Sequence, residues 1–97
     1  RVTELIALDA NRLLVLESSR SLNRIYRITL PDGPADNGRN LLEKSLLFAS
    51  DPPSALGRLT GMALLSEREL ALSGTGQASE GGRTHLYRLT FARPVTN

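Results

Sequence analysis

The feature that most constrains this chain is that it repeats itself, and an internal repeat dictates architecture before any local reading does. At a shift of 56 residues, residues 4–17 fall on residues 60–73, with Ala7/Ala63, Leu8/Leu64, Arg12/Arg68, Leu14/Leu70 and Leu16/Leu72 identical. At a shift of 61, residues 23–30 fall on residues 84–91; the Tyr, Arg and Thr are identical and the apolar positions stay apolar. A five-residue insertion within the Gly-rich residues 74–83 accounts for the change of shift. A chain of 97 residues holds one small domain at most. Such a chain buries only roughly 60–68% of its unfolded surface.

Each copy reads as strands. Residues 5–8 and 13–16 are short apolar runs flanking the turn-forming Asp9-Ala10-Asn11-Arg12. Ile25, Tyr26, Ile28 and Leu30 form a third strand, closed by Pro31-Asp32-Gly33-Pro34. The second copy repeats the plan over residues 62–65, 70–73 and 86–91. Near-continuous apolar runs imply that both faces of each sheet are covered, the condition of a propeller blade packed between neighbours.

Residues 41–49 fit two descriptions. Leu42, Leu46 and Ala49 would share a helical face, and a compact α+β domain with a helix over residues 39–50 follows from that. As an outer, fourth strand, residues 44–49 complete a blade of this length, and the strand is expected. Asp51-Pro52-Pro53-Ser54 then interrupts the structure. The fold expected is all-β: about two blades of a β-propeller, built of antiparallel four-stranded sheets, the second incomplete. Blade one spans residues 1–50, a linker loop 51–58 and blade two 59–97, all within one larger propeller domain.

The residues Val2-Thr3-Glu4-Leu5-Ile6-Ala7-Leu8, Arg12-Leu13-Leu14-Val15-Leu16-Glu17 and Asn23-Arg24-Ile25-Tyr26-Arg27-Ile28 resemble the phytase-like domain family, named for the esterase-like activity of phytase. Gly61-Met62-Ala63-Leu64 with Glu69-Leu70-Ala71-Leu72-Ser73 looks like its next segment. The resemblance covers nearly the whole chain but only the C-terminal third of the family's domain. It implies a periplasmic or secreted protein, and a phosphoester hydrolase assisted by a divalent cation such as Ca²⁺. The chain departs from the pattern where an acidic residue usually precedes Gly-Met-Ala, since Thr60 stands there. Gly74-Thr75-Gly76 stands where Asp or Asn usually follows the strand. The resemblance therefore implies that this segment supplies part of a cation site.

From the residues themselves, the strongest constellation is Glu4 with Glu17. A hairpin in which Leu8 faces Leu13 sets the two directly opposite. Like charges so placed are destabilising without compensation. A cation, for which hard oxygen ligands suit Ca²⁺, a raised pKa suited to acid/base work, or Arg20 or Arg1 as counter-ion would each serve. The equivalent pair in the second copy, Thr60 with Ser73, needs only a cross-strand hydrogen bond. Arg58 beside Thr60-Gly61 is a candidate for binding a substrate phosphate. His85, the single His, is expected to turn outward. Ser18, Ser19 and Ser21 form no nucleophile elbow, and Gly74-Thr75-Gly76 lacks the third Gly of a dinucleotide loop. No catalytic residue is assigned.

Composition closes off several classes. There is no Cys, which removes disulfides and thiolate ligands. Eleven of the twelve basic residues are Arg, scattered without a run, and aromatics make up 4%; both argue against nucleic acid. No apolar stretch approaches the ~20 residues of a membrane helix, and no signal peptide is present. The chain reads as a piece of a longer protein. Two readings stand: part of a phytase-like hydrolase, or a non-catalytic propeller segment acting as a binding or scaffold subunit. In either, remaining blades from another chain, or further copies in a homo-oligomer, are the expected partners, because exposed sheet faces this apolar are rarely tolerated.

Overall fold

In the computed structural model, described for residues 1–19, 22–31, 43–51, 56–75 and 84–97, the chain forms two antiparallel sheets. The first contains β1 (Val2–Ala7), β2 (Arg12–Ser19), β3 (Leu22–Thr29) and β4 (Glu43–Ser50), in that spatial order. The second contains β5 (Arg58–Ser66), β6 (Glu69–Thr75) and β7 (Thr84–Thr90), likewise in order. Among the described residues there is no helix, so the α+β alternative is set aside and β4 is the fourth strand. Arg20, Ser21, the Asp32–Pro34 turn, the Pro52–Ser54 breaker and the Gly-rich stretch after Thr75 lie outside the described residues.

Alternation along each strand gives every sheet two faces. In the first sheet, Ile6, Leu14, Leu16, Ile25 and Phe48 share one face, called here the front. Leu5, Val15, Glu17, Arg24 and Tyr26 share the back. The front packs against Leu59, Met62, Leu70 and Leu72 of the second sheet, forming one core with Val95. At about 1.5–3 kcal/mol for each fully buried aliphatic side chain, this layer dominates the folding energy. Strand β5 is the element of the second sheet that lies against β1, β2 and β3.

The register corrects the repeat by one residue over its first half. Paired residues run Ile6↔Leu14 and Leu5↔Val15 in one hairpin, and Ala63↔Ala71 and Met62↔Leu72 in the other. These superimpose at a shift of 57, not 56. Three further details agree. A bulge falls at Thr3 in β1 and at Thr60 in β5. Thr3 Oγ1 donates to the Leu16 carbonyl at 3.3 Å and Thr60 Oγ1 to the Ser73 carbonyl at 3.5 Å. Leu30 N–H donates to the Asn11 carbonyl, and Phe91 N–H to the Arg68 carbonyl. The shift of 61 between β3 and β7 holds: Tyr26 lies opposite Val15, and Tyr87 opposite Leu72.

One residue of slip exchanges the faces of a strand, so this correction changes how the sheets are related. Leu72, Met62 and Tyr87 are the equivalents of Val15, Leu5 and Tyr26, which belong to the back. The first sheet's front therefore meets the second sheet's back. The two sheets stack head to tail.

Residues 91–97 fasten the stack. Val95 is fully buried in the shared core. Its N–H donates to the Glu67 carbonyl at 2.6 Å, at the β5–β6 turn. Its carbonyl accepts from Arg27 Nη1 at 3.1 Å, and the Thr96 carbonyl accepts from Arg12 Nη1. Two guanidiniums of the first sheet thus hold a segment that continues from the second.

Candidate functional site

The end of the first sheet where β1 begins and β2 ends carries most of its polar side chains. Glu4 and Glu17 both reach this rim, but they do not face each other. Glu4 lies opposite Leu16 on the front, whereas Glu17 lies opposite Val2 on the back. The hairpin closes with Ala7 opposite Leu13 rather than Leu8, and the bulge at Thr3 re-phases the strand's beginning. The repulsion expected between the two carboxylates therefore does not arise.

Each carboxylate has its own surroundings. Glu17 Oε2 accepts from Lys44 Nζ at 3.3 Å, and the same ammonium sits 4.0 Å from the Tyr26 ring centroid. Lys44, on β4, is a counter-charge of Glu17; Arg20, expected from sequence in that role, lies outside the described residues. Glu4 is half-buried, and its Oε1 accepts from the Leu5 N–H at 3.3 Å. Arg24 Nη2 pairs with Asp51 Oδ1 at 2.6 Å. Arg1, Glu17, Ser18, Ser19, Leu22 and Arg24 surround a shallow depression of about 220 Å³. Among the described residues, no three His, Asp or Glu side chains converge.

Next to this rim, the stack is held by a side chain that sequence reasoning did not single out. Asn23 is fully buried on the front of β3. Its Oδ1 accepts from the Leu59 N–H at 3.0 Å and from Ser18 Oγ at 2.6 Å. Its Nδ2 donates to the Gly57 carbonyl at 2.8 Å and to Ser50 Oγ at 3.0 Å. Both lone pairs and both hydrogens of the amide are used. The partners come from β2, β4 and the entry to β5, so one amide joins the two sheets. Gly57 has φ of 65°, a left-handed conformation open to Gly at little cost, which turns its carbonyl toward Asn23. A signal existed: Asn is depleted from strands, and here one stands at the second position of β3.

The remaining candidates separate. Arg58 opens β5 opposite Thr75 and is exposed. Its carbonyl lies close to Gly74, where a Cβ would come within 2.6 Å of it. His85 turns inward, not outward: it lies opposite Gly74, on the face of Leu70 and Leu72, and stacks on Tyr87 with ring centroids 6.2 Å apart. Asp9, in the β1–β2 turn, accepts from the Asn11 N–H at 2.8 Å and from Arg12 Nε at 2.8 Å. The Asn11 N–H and then the Arg12 guanidinium hold its carboxyl below the usual carboxylate value. A groove of about 580 Å³ runs between β4 and residues 91–97. Arg27 and Arg93 stand among its otherwise largely apolar walls, and Arg27 is already engaged by Val95.

No helix of the described chain is long and apolar enough to cross a membrane. Compared with known proteins, the chain matches no family model, no curated protein and no solved structure.

Proposed function

We propose that this chain is a segment of a propeller-type protein of the phytase-like kind, acting as a binding or scaffold subunit within a larger stack of sheets. The observation that supports this reading is the head-to-tail packing of the two sheets, front on back, with Asn23 joining them. A repeat stacked this way buries a continuous core through contacts between nearest neighbours. In this reading Glu17 is a structural ion-pair partner of Lys44, and Arg58 is a solvated rim residue. Hydrogen exchange tests the stack. Amides of β2 and β6 should share one opening free energy, since both strands feed a common core. Separate opening of the two sheets would refute it.

The second reading is a phosphoester hydrolase of the periplasm or exterior, assisted by Ca²⁺. It is favoured by Glu4, whose half-buried carboxylate at the rim has the Leu5 N–H as its hydrogen-bond donor. In that case Glu4 on the front or Glu17 on the back of the sheet edge contributes a cation ligand, and Arg58 meets the substrate phosphate. Thermal melting with and without calcium, together with hydrolysis of an aryl phosphate, separates the readings. The scaffold reading expects the same melting temperature in both conditions. A calcium-dependent rise abolished in Glu4→Gln or Glu17→Gln, together with calcium-dependent hydrolysis of the aryl phosphate, supports the hydrolase reading instead.

A further inference from the structure

The interface between the two sheets shows what each uncovered face is shaped to receive. Three residue pairs related by the repeat differ sharply in exposure. Val2 is 52% exposed, whereas its equivalent Leu59 is 0% exposed. Leu5 is 55% exposed, and its equivalent Met62 8%. On the opposite type of face, Leu86 is 82% exposed, and its equivalent Ile25 0%. The buried member of each pair lies in the sheet–sheet interface. The exposed member occupies the same position on a sheet face that lacks a neighbour in the single chain.

The two uncovered faces are complementary kinds. The back of the first sheet is equivalent to the face of the second sheet that is already covered. The front of the second sheet is equivalent to the face that does the covering. We infer that a second copy of this chain docks by the same rule, its second sheet's front on the back of the first sheet. The sizes match large to small. The receiving back projects Val2, Leu5 and Leu46, while the docking front is flat at Gly61, Ala63, Ala71 and Ser73. Leu86 rises from that flat front at the place Ile25 holds in the interface already formed, while the places of Leu14 and Leu16 are taken by the smaller Ala71 and Ser73.

This inference rests on the stacked-segment reading and goes further, because it fixes which faces meet and makes the contact heterologous. A heterologous contact generates a ring when the rotation closes and a filament when it does not. It differs from a two-fold pairing of backs, in which one face of each copy would meet itself.

Complementation tests it. Leu5→Lys blocks the receiving back and Leu86→Lys the docking front, both at exposed side chains, and circular dichroism establishes that each variant keeps its strands. By sedimentation velocity the unmodified chain is expected to exceed its 10.5 kDa monomer mass with rising concentration. Each variant alone should remain monomeric. An equal mixture should form a species of twice the monomer mass and nothing larger, because one native front meets one native back. A monomeric unmodified chain overturns the inference. So does continued assembly of Leu86→Lys, which would mean that backs pair with backs. Either failure leaves the stack within the chain intact, since that is read separately by hydrogen exchange between β2 and β6.

Discussion

Replacing Asn23 with Ala should loosen the joint between the two sheets about as much as truncating a buried aliphatic side chain of the core. The substitution leaves two buried main-chain groups without partners: the Leu59 N–H and the Gly57 carbonyl. Neither can turn elsewhere, because β5 is held by its pairing with β6. A buried donor or acceptor left unsatisfied costs about 1–3 kcal/mol, so the pair costs about 2–6 kcal/mol. Ser18 and Ser50 add less, since their hydroxyls rotate. A water entering the vacated volume would bring the loss into the lower half of that range, about 3 kcal/mol. Against a total of roughly 5–15 kcal/mol for a chain of this size, that is a large fraction. In urea, with a slope near 1.5 kcal/mol/M, the midpoint should fall by about 2 M. Asn23→Asp supplies a second measure, because it preserves shape but sets a carboxylate against the Gly57 carbonyl. Burial raises that carboxyl's pKa, so its penalty is small at acid pH and grows as pH rises through the ordinary carboxylate value. A loss under about 0.5 kcal/mol for Asn23→Ala would refute the reasoning, since it would mean that water already reaches this joint.

Three other outcomes follow from the geometry. Gly74→Ala should destabilise by about 1–3 kcal/mol, because the new Cβ would meet the main-chain oxygen of Arg58 at 2.6 Å. Gly61→Ala, whose Cβ would meet the Ser73 hydroxyl, should cost less, since that side chain can rotate away; urea midpoints of the two variants compare them. Asp9→Asn should lower the melting temperature at neutral pH. The folded carboxyl is held below its ordinary value of 3.8, so its stabilisation is present above that value and disappears as pH falls through the folded one. The two melting curves should therefore converge in acid. Lys44→Met should cost about 0.5–1 kcal/mol at low salt and less at high salt, reflecting a half-exposed ion pair and a ring contact.

The strands were legible in the sequence because turn formers bracket each apolar run, and β4 followed from the need to complete a four-stranded sheet. The register was not legible. Residues 13–16 read Leu-Leu-Val-Leu, apolar at both parities, so sliding the copies by one residue conserves hydrophobicity while exchanging faces. Identities such as Leu14/Leu70 and Leu16/Leu72 favoured the wrong alignment. The pair Thr3/Thr60, which shares a bulge and a hydrogen bond, marked the right one. A separate one-residue slip, within the β1–β2 hairpin, affected the candidate site. It set Glu4 opposite Glu17 on paper, where the chain places them on opposite faces, and it is the register between β6 and β7 that turns His85 inward. Asn23 escaped notice because its role depends on the Gly57 carbonyl and the Leu59 N–H, main-chain groups that sequence does not display.

The anchoring of Val95 bears on the order in which this chain can be built. Synthesis delivers β1 to β3 first, with Arg12 and Arg27 beside an apolar surface and their eventual acceptors still untranslated. Those acceptors belong to residues 95 and 96, so the first sheet waits, incompletely latched, until nearly the whole segment has left the ribosome. A polypeptide interrupted after Ala92 would carry every strand of both sheets and still lack the clasp between them.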